Sequence, residues 1–181
     1  WLVEDLKPGT TALDIGAFRG ESAIYFAMHD KIRRVIAVDP SYQAYAIART
    51  YIRESGLAGK IKLINNAVTK DGQRILNTVS NSSLNKVQTG NSGRRPITLD
   101  DLIDEANSDN MIIKCDVEGA ETEIFDCDPD LLKGVRRVQI ECHDTIDQVL
   151  RQMRRLGFKT QVAKLHKGII YNKIGYVLAW R

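Results

Sequence analysis

Asp14, Gly16 and Gly20 are the first residues whose types and spacing suit a ligand. They lie in the stretch DIGAFRGES, after a short apolar run and before a helical pattern. Glycine at such a turn lets the backbone approach a ligand that a Cβ atom would exclude. The spacing differs from the Gly-x-Gly-x-x-Gly of dinucleotide sites, and a carboxylate ahead of the turn repels a pyrophosphate. The turn therefore favours a cationic adenosine cofactor, S-adenosylmethionine, over a nicotinamide dinucleotide.

Asp39 stands at the end of the next apolar run, VIAVDP, nineteen residues after Gly20. An acid in this position of an α/β fold binds the ribose hydroxyls of an adenosine cofactor. The alternative is that Asp39 caps the following helix. Asn65 and Asn66 come directly after the third apolar run, KIKLI, and suit either the adenine edge or a plain turn.

A second group of polar residues follows two later apolar runs. Asp116, Glu118 and Glu121 come after MIIKC, and Glu141 and His143 end VQIECH. In one interpretation Asp116, Glu141 or His143 is the general base of an acceptor hydroxyl. In the other, the same three residues bind a divalent cation. We expect the metal-free base, because no dedicated ligand spacing is visible; Glu118 and Glu121 also suit a turn and a helix N-terminus.

The elements that must position these residues alternate between strand and helix. Strands at 11–15, VIAVDP and KIKLINNAV are separated by helical patterns over 21–29 and 44–52. This βαβαβ order predicts a parallel α/β sheet with ligands at the carboxyl ends of its strands. Thr145 and Gln148 form a capping-box pattern for a later helix. The C-terminal segment predicts two strands paired as a hairpin.

Composition fits one globular domain over residues 1–181. The chain is 43% hydrophobic and 27% charged, and it has three cysteines without Cys-x-x-Cys spacing. Unpaired cysteines suit a reducing compartment, so we expect a cytoplasmic protein. No apolar run reaches the ~20 residues that cross a bilayer. The chain begins at Trp1 rather than at Met, which leaves room for an upstream segment.

Two segments depart from this pattern. Residues 70–96 are rich in Asn, Ser, Gly and Thr, and we expect an inserted hairpin or flap there, either a functional lid or a decoration. Residues 151–181 carry eight Lys or Arg and no Asp or Glu. Such a segment suits either an anionic partner such as RNA or a solvated face, and we expect the solvated face.

The motifs LDIGAFRGE, VIAVDP, NNAVTKDG, ITLDDLI, IIKCDVEGAE and VQIECH, in this order, resemble the FkbM-type methyltransferases. The resemblance covers roughly residues 11–145. It implies the class I methyltransferase fold, a three-layer αβα Rossmann-like sandwich with a seven-stranded, mostly parallel sheet and an antiparallel last strand. It also implies methyl transfer from S-adenosylmethionine, commonly to a hydroxyl of a sugar, lipid or natural product.

The sequence thus predicts an O-methyltransferase without a metal, acting on a small molecule or glycan. The alternatives are an RNA methyltransferase that uses the basic C-terminal surface and a non-catalytic cofactor-binding module. The predicted catalytic residues are Asp116, Glu141 and His143. The predicted cofactor-binding residues are Asp14, Gly16, Ala17, Phe18, Gly20, Glu21, Ser22, Asp39, Pro40, Asn66, Ala67 and Asp116.

Overall fold

The computed structural model describes residues 2–72, 96–167 and 171–181. Within these residues, seven strands form one sheet in the order β3-β2-β1-β4-β5-β7-β6. The strands are β1 (Thr10–Ile15), β2 (Ile32–Val38), β3 (Ile61–Ile64), β4 (Met111–Cys115), β5 (Val135–His143), β6 (Lys159–His166) and β7 (Ile174–Trp180).

The strand directions agree with the sequence expectation. β1 to β5 pair in parallel, whereas β7 runs antiparallel to both β5 and β6. The predicted mostly parallel sheet and the predicted C-terminal hairpin are both confirmed. The strand order reverses between β1 and β4, and such a reversal opens a crevice at the carboxyl ends of the strands.

Helices cover both faces of the sheet and complete the three layers. They are α1 (Glu21–Met28), α2 (Tyr42–Glu54), α3 (Leu99–Ala106), α4 (Glu121–Ile124) and α5 (Ile146–Arg155), with a 3₁₀ turn at Pro129–Leu132. Phe26 of α1 and Ile52 of α2 are buried in the core of one face. Leu102 of α3, Ile124 of α4 and Met153 of α5 are buried in the core of the other. β1 is buried along its whole length, and β4 is buried at every residue except Lys114, because these strands lie between the two cores.

The predicted insertion at 70–96 falls largely outside the described residues, but its two ends are described. The N–H of Thr69 donates to the carbonyl of Ile97, and the N–H of Ile97 donates to the carbonyl of Ala67, both at 2.9 Å. Residues 67–69 and 97 thus lie side by side. Among the described helices, none combines the length and apolarity needed to cross a bilayer.

Gly16 lies where the turns after β1 and β4 meet. Its φ is +78°, and an added Cβ would lie 1.7 Å from the carbonyl oxygen of Asp116. An L-residue is strained at this φ, and the carbonyl leaves no space for a side chain. Glycine at this position therefore permits the direct backbone contact between the two turns.

We predict that Gly16→Ala lowers the free energy of unfolding by about 1–3 kcal/mol more than Gly56→Ala does, because overpacking adds to the backbone strain. Gly56 is the matched control, since its φ is +73° and nothing lies within 4 Å of an added Cβ. Urea unfolding of both variants measures the difference. Equal losses would show that the contact with Asp116 carries no energetic weight.

Candidate active site

A cavity of about 570 Å³ opens at the carboxyl ends of the strands where their order reverses. Its walls come from five segments: the turn after β1, the end of β2, the first turns of α2, the loop after β3 and the turn after β4. Of the residues predicted from the sequence, those that line it are Gly16, Phe18, Asp39, Pro40, Asn66, Ala67 and Asp116. A volume of several hundred Å³ with few polar groups is typical of a small-molecule site.

The turn after β1 is fixed by backbone contacts. The N–H groups of Gly16 and Ala17 both donate to the carbonyl of Val38, at 2.9 and 3.0 Å. Gly20 precedes α1 with a φ of +86°, and an added Cβ there would lie 3.2 Å from the Cβ of Ala48. The turn therefore packs closely on both β2 and α2.

Asp39 holds the turn from the side of β2. Its Oδ2 accepts from the N–H of Phe18 and its Oδ1 from the N–H of Ser41, both at 2.8 Å. Burial raises the pKa of Asp39, and the hydrogen bonds from Ser41 and Phe18 oppose this. The alternative that Asp39 caps α2 is wrong, because Ser41 is the N-cap and accepts from the N–H of Ala44.

Asp14 lies beneath the turn and not on the cavity wall. Its carboxylate is fully buried, accepts from the Ser22 hydroxyl at 2.6 Å and lies 3.3 Å from the Lys114 ammonium. Lys114 also donates to the carbonyl of Gly16 at 3.2 Å. Burial disfavours the charged ammonium, but Asp14 and Asp116 outweigh it and raise the pKa of Lys114. In this structure Asp14 supports the glycine turn through Ser22 and Lys114.

The two asparagines after β3 have different surroundings. The Asn65 amide donates to the carbonyls of Asp39 and Pro40, at 3.0 and 3.1 Å. Asn66 lines the cavity, and its Oδ1 accepts from the N–H of Ala67 at 2.9 Å. Asn65 thus ties the loop to the end of β2, whereas Asn66 faces the cavity.

The turn after β4 brings two carboxylates to the cavity. Asp116 and Glu118 line it, and Glu118 adopts a φ of +53°, which is unusual for a residue other than glycine. Burial raises the pKa of Asp116 to about 6; Lys114 opposes this shift and Glu141 adds to it. The charged form of Asp116 is therefore stabilised by the Lys114 ammonium and destabilised by its acidic neighbours.

His143 and Glu121 form a buried pair that the sequence did not reveal. The His143 Nδ1 lies 2.7 Å from the Glu121 Oε1, and the two side chains are 3% and 0% exposed. Glu121 also accepts from the N–H of Gly119 and from the Thr145 hydroxyl, at 3.0 and 3.2 Å. The predicted side-chain cap by Thr145 is therefore wrong: no such bond forms at the start of α5, and the hydroxyl turns to Glu121.

The pair brings the imidazole to the two cavity carboxylates. Asp116 and Glu118 each offer one carboxylate oxygen and His143 one ring nitrogen, and these three atoms lie within 4.8 Å of one another. Burial lowers the pKa of His143, but the hydrogen bond to Glu121 and the nearby carboxylates outweigh it, so the pKa is raised. Glu118, which the sequence suggested either as one of the carboxylates near the reacting group or as a turn residue, thus belongs to this group together with the predicted Asp116 and His143.

Glu141 lies beside this group. It pairs with Tyr176 across β5 and β7. Burial raises the pKa of Tyr176, and the hydrogen bond and charge of Glu141 raise it further. The charge of Glu141 also acts on Asp116. The three predicted catalytic residues are therefore neighbours, although Glu141 is not part of the set of ligand atoms formed by Asp116, Glu118 and His143.

The fold resembles those of solved methyltransferases. The precorrin-6y C5,15-methyltransferase of Geobacter metallireducens GS-15 has 14% sequence identity and a TM-score of 0.57, with coverage of 98% of this chain and 84% of that one. TrmK of M. capricolum, solved with S-adenosyl-homocysteine, has 15% identity, a TM-score of 0.52 and coverage of 99% and 65%. The METTL16 methyltransferase domain has 15% identity, a TM-score of 0.61 and coverage of 99% and 62%.

These identities establish the fold alone, and a comparison with curated proteins gave no match. A family model shows more. The one described as the methyltransferase FkbM domain matches residues 14–160, which include the glycine turn, Asp39 and the turns after β4 and β5. The chain therefore belongs to the FkbM family of S-adenosylmethionine-dependent methyltransferases.

Proposed function

We propose that this protein transfers a methyl group from S-adenosylmethionine to a hydroxyl of a small molecule, sugar or lipid. The observation that carries the proposal is the cluster of Asp116, Glu118 and His143, whose two carboxylates line the cavity, with Glu141 beside them. A hydroxyl is a weak nucleophile until its proton is removed or its pKa is lowered, and carboxylates and imidazole serve that task.

The cavity fits the cofactor in charge and in its polar groups. Among the described residues that line it are three acids, Asp39, Asp116 and Glu118, and one base, Arg19. An excess of carboxylates suits a cationic ligand better than a pyrophosphate. The two Asp39 oxygens each accept one backbone N–H, which fixes them while leaving lone pairs for two ribose hydroxyls. We assign Asn66 to the edge of the adenine ring, because it lines the cavity and its Oδ1 is fixed by the N–H of Ala67.

When bound, the cofactor supplies a methyl group already activated by its sulfonium. The chain's own task is to align the acceptor and to take its proton. Lys114 holds the turns after β1 and β4 together through Asp14 and the Gly16 carbonyl, so the cofactor turn keeps a fixed distance from Asp116. We assign proton removal to Glu141, which lies next to Asp116 and is held by Tyr176.

The basic C-terminal segment supports a small acceptor more than RNA. Arg155 lies 3.3 Å from the carboxylate of Asp126, and the Arg181 guanidinium stacks on the Phe158 ring, 4.0 Å from its centroid. These side chains are engaged within the fold. The hairpin that carries the rest of the segment, β6 and β7, forms the edge of the sheet opposite β3.

The acceptor class is tested with labelled S-adenosylmethionine and a panel of polyhydroxylated small molecules, glycans and structured RNA. We expect a methyl ether, located by mass spectrometry and NMR, on a small molecule or glycan. The protein should not bind RNA at about 0.15 M salt. A methyl group found on nitrogen or carbon, or on RNA alone, would contradict the proposal.

We predict that Asp39→Ala weakens S-adenosylhomocysteine binding by about 10–100-fold, or about 1.4–2.8 kcal/mol, because charge-assisted hydrogen bonds to the ribose are lost. Isothermal titration calorimetry gives the Kd. Thr98→Ala is the control, since it removes the cap of a helix outside the cavity and lowers stability without touching the cofactor. A lower stability with an unchanged Kd in Asp39→Ala would mean that Asp39 only braces the turn.

We predict that Glu141→Gln lowers turnover by about 10²–10⁴-fold, the usual contribution of a general base, while the cofactor Kd changes little. The acceptor found in the panel provides the assay, and Glu54→Gln at the exposed end of α2 is the matched control. Parallel losses of turnover and cofactor affinity would argue against Glu141 as the proton acceptor.

A further inference from the structure

We infer that Asp116, Glu118 and His143 bind one divalent cation of the Mg²⁺ or Mn²⁺ class at the wall of the cofactor cavity. The inference rests on the proposed function, because the cation gives the acceptor hydroxyl a binding partner beside the cofactor. It departs from the metal-free expectation of the sequence analysis, and its ligand set differs from the one considered there, since Glu118 takes the place of Glu141.

The spacing of the three side chains suits a cation. Their nearest ligand atoms lie within 4.8 Å of one another. Neighbouring ligands of an octahedral Mg²⁺ lie about 3 Å apart, at metal–oxygen distances of about 2.1 Å. Glu118 is 36% exposed at its side chain, so its carboxylate can move the remaining distance without disturbing the core.

His143 provides an independent indication. Its side chain is 3% exposed, and the closest carboxylate oxygen to its Nε2 is that of Glu118, at 3.6 Å, which is too long for a hydrogen bond. Within the described part of the chain, Nε2 therefore makes no hydrogen bond, and its lone pair is available to a ligand. The atom is directed at Glu118 and Asp116, where a cation would satisfy it.

The tautomer of His143 is set for this role by Glu121. The Nδ1 lies 2.7 Å from a fully buried carboxylate, which favours a proton on Nδ1 and a free lone pair on Nε2. Glu121 is itself fixed by the Gly119 N–H and the Thr145 hydroxyl. A carboxylate that orients a histidine from behind is typical of metal sites, where it also raises the basicity of the ligand.

The donor set indicates the kind of cation and its task. Two carboxylates and one imidazole suit a hard cation that prefers oxygen. Three protein ligands leave coordination positions for water and for the acceptor hydroxyl. A cation there lowers the pKa of the bound hydroxyl; the O–H bond breaks, the electron pair stays on oxygen and the proton passes to Glu141.

The test is a Mn²⁺ titration of the full chain after treatment with EDTA, in which electron paramagnetic resonance follows free Mn²⁺. We expect one bound Mn²⁺ per chain, displaced by excess Mg²⁺. Glu118→Gln and Asp116→Asn should each weaken binding by about tenfold or more. Glu54→Gln, the same exchange on an exposed helix end, should bind as the unmodified chain does. Circular dichroism verifies the fold of each variant.

Titration of S-adenosylhomocysteine in the absence of metal separates this inference from the proposed function. Bound Mn²⁺ that is lost in Glu118→Gln, with cofactor binding retained, supports the site. Failure to bind Mn²⁺ at millimolar concentration, or equal binding by Glu118→Gln, overturns it and leaves a metal-free base. Mn²⁺ binding without any cofactor binding would instead overturn the proposed function and keep the cation site.

Discussion

The charge of Lys114 is the constraint on which the site depends. Its ammonium lies 3.3 Å from Asp14 and 3.9 Å from Asp116, and it donates to the carbonyl of Gly16. Asp14 is fully buried, and a buried carboxylate that loses its cationic partner destabilises a protein by about 3–5 kcal/mol. One side chain of β4 thus neutralises the acid at the end of β1 and links the turn after β1 to the turn after β4.

Much of this arrangement could be predicted from the sequence because it depends on local patterns. Apolar runs that alternate with helical stripes specify a parallel sheet, and in such a sheet the residues at the strand ends must meet at one edge. This is why the sequence predicts that Asp39, Asp116 and His143 lie along the same edge of the sheet. The glycine spacing indicated a turn that a ligand can approach closely, whereas the contact of Gly16 with Asp116 became visible only in the structure.

Other features depend on contacts between residues far apart in sequence. Glu121 and His143 are separated by 22 positions, and neither the acid at the start of a short helix nor the histidine at the end of a strand indicates its partner. The sequence pattern at Thr145 is that of a helix cap, but the fully buried carboxylate of Glu121 competes for its hydroxyl. The position of Asp14 beneath the turn also follows from packing, because Ser22 and Lys114 surround it.

The joined ends of the segment at 70–96 have an evolutionary consequence. Residues 67–69 and 97 are held together by main-chain hydrogen bonds, which almost any side chains permit. Since loop-closure entropy grows slowly with length, a connection that starts and ends at such a pair of segments tolerates insertions and deletions at small thermodynamic cost. Ala67 and Val68 also line the cavity. Changes of length at this point of the chain therefore fall beside the cavity, while the sheet beneath stays the same.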